Sequence, residues 1–300
     1  MNIDEKLITK IHKPVLLNEV INLLNITKGK VYVDCTLGLG GHSHEVLKKL
    51  DGKGIVIGIE KDETILQITK NRLKEFENCY LFHSNFTDLK NILKKLNLNK
   101  ISGGILLDLG INSMQLNDPQ QGFSFKYDGP LDMRMDKSQS LKALEVVNNY
   151  KESEIANIIW KYGEERYARK IARFIVEKRA RTGQIKKTSE LVNLILKCYP
   201  KNKWFKNHPA TKTFQAIRIE VNKELENLTR FLCFIPELLL PKSRLTVISF
   251  HSLEDRITKN FLKNNEEFLT LTKKPIVPSS SEIEENPRSR SAKLRAAEKT

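Results

Sequence analysis

Glycines and acidic residues stand where segments that resemble buried strands come to an end. Val31–Asp34 is an apolar run that ends in Asp34, and it is followed by Gly38, Gly40 and Gly41 before a helical stretch at Ser43–Leu50. A strand that ends in glycines and leads into a helix is typical of the first turn of a doubly wound, nucleotide-binding sheet. Glycine allows a ligand to approach the main chain closely, and the free N–H groups at the helix start suit an anion.

A second acid follows at the spacing that an adenosine ligand requires. Gly54–Glu60 is a continuous apolar run, as in a parallel strand buried on both faces, and it ends in Glu60. An acid about twenty residues past the glycines can accept both ribose hydroxyls. The alternative is an ordinary strand–helix–strand unit with an acid at the end of a strand.

The glycine pattern favours S-adenosylmethionine over a dinucleotide. In Gly38-Leu-Gly-Gly-His-Ser43 the third glycine or alanine of a dinucleotide motif is missing. Asp34 can meet the ammonium of an amino acid moiety, whereas Glu60 can bind a ribose. NAD therefore stays the weaker alternative.

Two further residues are expected on the same rim. Asp108 ends a predicted fourth strand and Phe86 follows the third. Ligands of open α/β sheets bind beyond the carboxyl ends of the strands, so these residues converge with Asp34 and Glu60. The alternatives are that Asp108 caps a turn and that Phe86 is a core residue.

The alternation of strands and helices predicts an α/β fold with a mostly parallel, doubly wound sheet. We expect residues 1–115 to form the first part of this core, 116–240 an inserted helical subdomain with its leading loop, and 241–300 the completion of the core. The helical part includes one long helix over Thr213–Phe234. Leu269–Val277 is a predicted late strand, and Pro287–Thr300 is expected to be a flexible basic arm or a solvated terminus.

Composition restricts the partners and the chemistry. The 300 residues carry 51 Lys and Arg against 36 Asp and Glu, a net charge of +15, which favours a nucleic acid unless it reflects only a lysine-rich surface. The four cysteines lie far apart, so neither a zinc site nor disulfides are indicated. With no apolar segment typical of a signal peptide or a membrane span, we expect a cytoplasmic protein. A homodimer is compatible with the sequence but not required by it.

An aromatic loop and a basic helix are candidates for contact with RNA. Phe123, Phe125 and Tyr127 alternate along a loop rich in glycine and proline, where they could stack on an unpaired base or simply fix the loop. Glu164–Arg181 is a predicted helix with one apolar face and many basic residues. Such a face can meet phosphates or be exposed to solvent.

Seven segments together resemble the ribosomal RNA small subunit methyltransferase H family, whose members methylate the N4 amine of a cytosine in 16S rRNA. The matching segments are His12–Glu19, Gly38–His42, Gly122–Met135, Tyr162–Arg166, His208–Arg218, Phe250–Arg256 and Asn286–Arg295. Any one of them is a weak signal, but all seven in order are specific.

The resemblance implies a class I methyltransferase core with an inserted helical domain, acting on 16S rRNA of the small ribosomal subunit, with the methylated cytidine in the decoding centre. It also implies cofactor contacts at Gly40, Gly41, His42, Glu60, Phe86, Asp108 and Gln115. The chain departs from the family pattern in having Glu60 where Asp is usual. A second departure is Ile111–Met114, which replaces small residues and proline.

Methyl transfer from a sulfonium requires alignment of the amine lone pair with the S–CH₃ bond. Asp108 is the catalytic candidate, although no general base is identified. The residues expected to shape the cytidine pocket are Phe123, Phe125, Arg134, His251, Ser252, Glu254 and Arg256. The rival functions are a DNA amino-methyltransferase, against which the absent Pro-Pro-aromatic motif argues, a non-catalytic ribosome assembly factor, and an NAD-dependent oxidoreductase.

Overall fold

A computed structural model describes residues 13–200, 205 and 207–300 of the chain. His12 and the rest of the leading segment, which the sequence analysis interpreted as lacking a secretory signal, lie outside the described residues. Contacts divide the chain into two compact units. The first, here called the sheet unit, contains residues 13–112 and 225–300, and the second, the helical unit, contains the described residues between 113 and 224.

The sheet unit is built on one sheet of seven strands in the order β3-β2-β1-β4-β5-β7-β6. The strands are β1 (Val31–Asp34), β2 (Ile55–Glu60), β3 (Cys79–His83), β4 (Gly104–Asp108), β5 (Arg244–Ser249), β6 (Phe268–Thr270) and β7 (Lys293–Lys299). Strands β1 to β5 pair in parallel, and β7 pairs antiparallel with both β5 and β6. The strand order reverses between β1 and β4, which is the point where an open α/β sheet binds its ligand.

The apolar runs of the sequence form strands that are buried on both faces. In β4, Ile105 and Leu107 belong to one hydrophobic core and Leu106 belongs to the other. The two cores lie on opposite faces because successive side chains of a strand point to opposite sides. The sheet therefore holds the acids at its strand ends in fixed positions.

Helices cover both faces of the sheet. They are α1 (Leu17–Leu24), α2 (Gly41–Leu50), α3 (Glu63–Arg72), α4 (Leu89–Lys95), α11 (Glu224–Phe234), α12 (Ser252–Asn264) and α13 (Ser280–Glu285). Helix α3 begins where the Asp62 side chain accepts hydrogen bonds from the main-chain N–H groups of Thr64 and Ile65. In the ranges 13–200 and 207–300, no helix is long and apolar enough to cross a membrane.

The C-terminal segment differs from its prediction. Pro287–Thr300 was expected to be a flexible basic arm or a solvated terminus, but its residues Lys293–Lys299 form β7, which lies between β5 and β6. Leu294 is fully buried, and the basic side chain of Arg295 donates to Asp255 at 2.7 Å. Because the segment is rich in Lys and Arg, its strand was not predicted from the sequence. The predicted late strand at Leu269–Val277 is shorter than expected and ends at Thr270.

The helical unit contains α5 (Ser113–Asn117), α6 (Ala143–Asn149), α7 (Glu152–Gly163), α8 (Ala168–Thr182), α9 (Thr188–Leu196) and α10 (Ala210–Asn222). The single helix predicted over Thr213–Phe234 is two helices, α10 and α11. Lys223 separates them because its φ of 50° lies in the left-handed region.

The observed boundary between the units also differs from the expected one. The sequence analysis placed residues 225–240 in the helical subdomain. In the structure, Leu228, Phe231 and Leu232 of α11 are buried in one core of the sheet unit. The sheet unit therefore resumes at residue 225 rather than at 241.

Candidate active site

The glycine turn after β1 takes a conformation that other residues adopt only under strain. Gly38 and Gly40 have φ angles of 50° and 74°, and α2 begins at Gly41. A Cβ at Gly40 would lie 2.7 Å from the Thr69 methyl group, and one at Gly41 would overlap Pro14. The main chain at Gly40 and Gly41 therefore lies so close to Thr69 and Pro14 that only glycine fits without displacing them.

Side chains from α3 and β2 hold this turn in place. Thr69 Oγ1 donates to the Gly38 carbonyl oxygen at 2.6 Å, and Arg72 Nη1 donates to the Leu39 carbonyl oxygen at 2.7 Å. Thr69 and Arg72 were not among the residues predicted for the site. Their spacing of three residues places them on one face of α3, but nothing local indicates that this face meets the glycine turn.

Glu60 ends β2 and binds main-chain N–H groups with both of its oxygens. Oε2 accepts from Gly38 at 2.8 Å, and Oε1 accepts from Lys61 and Asp62 at 2.8 and 2.9 Å. Burial raises the pKa of Glu60 and outweighs the opposing effect of these donors. Each carboxylate oxygen can accept more than one hydrogen bond, so Glu60 retains capacity for ribose hydroxyls.

His42, in the first turn of α2, is buried and neutral. Its Nε2 lies 3.0 Å from the Val15 carbonyl oxygen, and burial lowers its pKa to about 4. The carbonyl requires a proton on Nε2, so the lone pair is on Nδ1, which lies 3.9 Å from Asp108 Oδ2. That distance is too long for a hydrogen bond, and the neutral ring makes no ion pair with Asp108.

Asp108 ends β4 with an unsatisfied oxygen. Its Oδ1 is buried and has no hydrogen-bond partner within the described ranges of the chain. Burial, reinforced by the nearby charges of Asp34 and Glu254, raises the pKa of Asp108 well above its usual value. A cationic ligand or a hydrogen-bond donor placed here would relieve both effects.

Asp34 ends β1, and both of its carboxylate oxygens accept hydrogen bonds from residues of the sheet unit. Ser43 Oγ donates to its Oδ2 at 2.7 Å, and the Thr36 N–H donates to its Oδ1 at 3.2 Å. Burial raises its pKa to about 6, despite these two donors. The suggestion that Asp34 meets the ammonium of the ligand stays a prediction.

The raised pKa of Asp34 predicts that stability falls as pH increases. Because the folded protein holds this proton up to about pH 6, whereas the unfolded chain releases it near 3.8, the folded state binds more protons in between. The advantage of the native protein over Asp34→Asn should therefore shrink by roughly 2 kcal/mol between pH 4 and pH 7. Urea unfolding of both proteins across this range measures the change, and parallel pH profiles would contradict it.

Phe86 lies in the 3-10 turn that follows β3. Its ring is buried edge-to-face against Phe231 at 5.2 Å, and Lys61 Nζ lies 5.2 Å from its centroid. The contact with Phe231 shows that Phe86 is part of a core. Its proposed contact with adenine stays a prediction.

The segment expected to shape the substrate pocket from the sheet unit also starts α12. His251 is the N-cap residue, and its Nδ1 accepts from the Glu254 N–H at 3.4 Å, while Glu254 Oε2 accepts from the Phe250 N–H at 2.8 Å. Ser252 is the first helical residue, and Arg256 lies one turn further along. His251 and Glu254 therefore have a structural role that the sequence analysis did not foresee.

In the helical unit, the aromatic loop is ordered by its own packing. Gln115 of α5 and Phe123 are buried. The Phe125 ring stacks on His208, with centroids 4.6 Å apart and an interplanar angle of 11°. Arg134 forms a two-point ion pair with Asp132 at 2.8 and 3.0 Å. These residues fix the loop, and their contacts with substrate stay a prediction.

The reversed strand order, the glycine turn after β1 and the acids that end β2 and β4 form the ligand-binding edge of an open α/β sheet, which class I methyltransferases use for S-adenosylmethionine. The model of the MraW methylase family matches residues 9–300. The chain belongs to that family.

Several relatives match over nearly the whole chain. The ribosomal RNA small subunit methyltransferase H of Clostridium botulinum (strain 657 / Type Ba4) is 48% identical over 306 residues, with coverage of 96% of this chain and 98% of the relative. That of Thermosipho africanus (strain TCF52B) is 50% identical over 290 residues, covering 96% and 97%. The crystal structure of PH0851 superposes with a TM-score of 0.50 at 12% identity, covering 99% of this chain and 49% of that one, and supports the fold alone.

Proposed function

We propose that this protein methylates the N4 amine of one cytidine in the decoding centre of 16S rRNA in the small ribosomal subunit. The relatives, at about half identity over nearly their full length, are named ribosomal RNA small subunit methyltransferase H. The net charge of +15 suits a polyanionic substrate. The resemblance in seven segments supports cytosine N4 as the acceptor.

The glycine turn and the rim acids fit S-adenosylmethionine. The turn has no Cβ at Gly40 or Gly41, and Asp108 presents a buried oxygen without a partner in the part of the chain that the structure describes. When bound, the cofactor supplies a methyl group on a positively charged sulfonium. We assign its binding to Gly40, Gly41, His42, Glu60, Phe86, Asp108 and Gln115.

The observation that carries this assignment is the state of Asp108. Asp108 is a buried carboxyl group at the switch point of the sheet, close to other negative charges. Its charged form is unfavourable there unless a cation or a hydrogen-bond donor lies beside it. A positive ligand nearby would lower the pKa of Asp108 and return it to the carboxylate form. That carboxylate can accept an N–H of the amine that is methylated.

Acceptance of an N–H addresses the main chemical difficulty of the reaction. The N4 lone pair is delocalised into the cytosine ring, and a hydrogen bond from the amine to Asp108 favours its localisation on nitrogen. Bound S-adenosylmethionine would supply the methyl group and leave as the neutral thioether S-adenosylhomocysteine, and the alkylated nitrogen would lose its proton to water. This cation is acidic, so no strong base is required.

The acceptor base must leave its stack to react. We propose that His251, Ser252, Glu254 and Arg256 of the sheet unit contact the substrate, and that Phe123, Phe125 and Arg134 of the helical unit also contact it. Since Arg134, His251 and Glu254 are engaged in intramolecular bonds, each acts by fixing the main chain of its own segment.

Transfer of radiolabelled methyl groups to purified small subunits, followed by nucleoside chromatography, tests the proposal. We expect the label in N4-methylcytidine. Label in another nucleoside would overturn the position, and label in DNA but not in rRNA would favour the DNA amino-methyltransferase. Cofactor binding without transfer to any subunit preparation would favour the assembly factor.

A further inference from the structure

Two segments singled out in the sequence, Tyr162–Arg166 and His208–Arg218, border a cleft within the helical unit. The cleft has a volume of about 410 Å³, which lies in the range of small-ligand sites. None of the residues assigned to the cofactor lines it. The lining side chains that concern its chemistry are Arg166, Tyr199, Phe205, His208, Thr211 and Lys212.

Two basic side chains of the cleft have no carboxylate partner. Lys212 Nζ donates to the main-chain oxygen of Glu164 at 2.7 Å, and Arg166 lies over the Tyr167 ring with its guanidinium carbon 4.8 Å from the centroid. Neither forms an ion pair with any residue in the described ranges, whereas Arg173 of the same unit lies 3.5 Å from Glu177. The positive charge of this pair is therefore available to an anion.

The two acidic residues at the cleft form no ion pair with Arg166 or Lys212 in the part of the chain that the structure describes. Glu165 is buried, and its Oε1 accepts from the Tyr167 N–H at 2.9 Å. The Tyr199 hydroxyl donates to the Pro209 carbonyl oxygen at 3.2 Å, and its pKa is raised by burial and by the Glu165 carboxylate. Glu164 is exposed and shares the rim with Lys212. The cleft thus carries two cations and two acids, and the Glu165 side chain is turned toward its own loop.

Flat aromatic groups line the same cleft. His208 has one face stacked on Phe125, and burial lowers its pKa, so the ring is neutral at pH 7. Tyr199 contacts Tyr167 and Phe205 edge-to-face, at 4.7 and 5.1 Å. Aromatic rings beside basic groups suit single-stranded nucleic acid, because the rings stack on bases and the cations bind phosphates.

We propose that this cleft binds one unpaired nucleotide of the RNA substrate, with its phosphate at Arg166 and Lys212 and its base at His208 and Tyr199. The inference rests on the proposed function and concerns a nucleotide other than the one that is methylated. An acidic peptide would use the two cations but would leave the aromatic surfaces without a matching group, so the structure favours RNA.

The test compares Arg166→Gln/Lys212→Gln with Lys187→Gln, a control that removes a paired charge from the same unit, because Lys187 Nζ lies 3.4 Å from Asp128. Fluorescence anisotropy with a labelled 16S rRNA fragment measures affinity at several salt concentrations. The double variant should bind at least about tenfold more weakly, and the slope of log affinity against log salt should fall by about two. The control should change affinity by less than about twofold.

Kinetics with small subunits separate this anchor from the reaction. The double variant should raise KM without changing kcat, and its S-adenosylmethionine Kd from calorimetry should equal that of native protein. His208→Ala should weaken RNA binding about tenfold without changing the salt slope, because it removes stacking rather than charge. Thermal melts of all variants show whether they fold.

Each outcome decides between distinct conclusions. Folded double and His208 variants that bind RNA as the control does would overturn the cleft assignment and leave the proposed methylation intact. Loss of affinity for an acidic peptide but not for RNA would overturn it in favour of a protein partner. If RNA binding depends on the cleft but no methyl group is transferred to cytidine, the cleft is confirmed as an RNA-binding site and the proposed methylation is wrong.

Discussion

Replacement of Asp108 by asparagine should lower the rate of methyl transfer to small subunits by at least about 100-fold and leave the fold intact. Asparagine has the shape of aspartate but cannot become the carboxylate that a cationic cofactor induces. Because the pKa of Asp108 is raised by burial and by the charges of Asp34 and Glu254, removal of the ionisable group costs the folded state little. Initial rates with radiolabelled S-adenosylmethionine measure the loss.

Asp51→Asn is the control for this prediction. Asp51 is exposed, lies after α2 and pairs with Lys28 at 2.7 Å, so its substitution also removes one negative charge from the sheet unit. Its rate should stay within about twofold of the native rate, as is usual for an exposed pair. If Asp108→Asn retains more than a tenth of the native rate, Asp108 does not take part in the reaction.

Alanine at Gly40 should weaken S-adenosylmethionine binding by at least about tenfold, which corresponds to ~1.4 kcal/mol. The residue has a φ of 74°, and the new Cβ would lie 2.7 Å from the Thr69 methyl group and 3.2 Å from Leu73 Cδ1. Thr69 cannot move away freely, because its hydroxyl donates to Gly38. The turn must therefore shift. Isothermal titration calorimetry measures the affinity.

Gly52→Ala provides a close comparison. Gly52 has a φ of 72°, but a Cβ there would meet nothing within 4 Å. Both variants carry the cost of a left-handed alanine, about 1–2 kcal/mol, and only Gly40→Ala adds the contact with Thr69. Equal cofactor affinities in the two variants would show that the Gly40 turn does not contact the cofactor.

Local signals were sufficient to predict the core of the sheet unit. The strands β1, β2 and β4 are continuous apolar runs, and the glycines mark the turn after β1 in the sequence itself. The placement of Asp34, Glu60 and Asp108 at strand ends followed from these runs, because the carboxyl ends of parallel strands share one edge. The mostly parallel α/β fold was confirmed.

Features that depend on distant partners could not be predicted. In the sequence, Arg295 has the pattern of a charged residue in a solvated tail. In the structure, its charge is compensated by Asp255 of α12, 40 residues earlier in the chain. Thr69 is 31 residues from the glycine whose carbonyl it binds, and Arg72 is 33 residues from Leu39. Lys223 has no local signal for the left-handed conformation that separates α10 from α11. Tertiary packing determines each of these.

The candidate substrate residues show the same limit. The sequence indicates that Arg134 and His251 are chemically capable groups, but not that Arg134 is paired with Asp132 or that His251 caps α12. Likewise, the stack of Phe125 on His208 joins segments 83 residues apart in the chain. The contacts of these residues with substrate stay predictions.

The most direct test is mass spectrometry of 16S rRNA from cells that lack the gene, complemented with native protein or with Asp108→Asn. The proposed function predicts that one cytidine in the decoding centre loses its N4 methyl group on deletion, regains it with native protein and lacks it with the variant. An identical cytidine methylation pattern in all of these strains would contradict it.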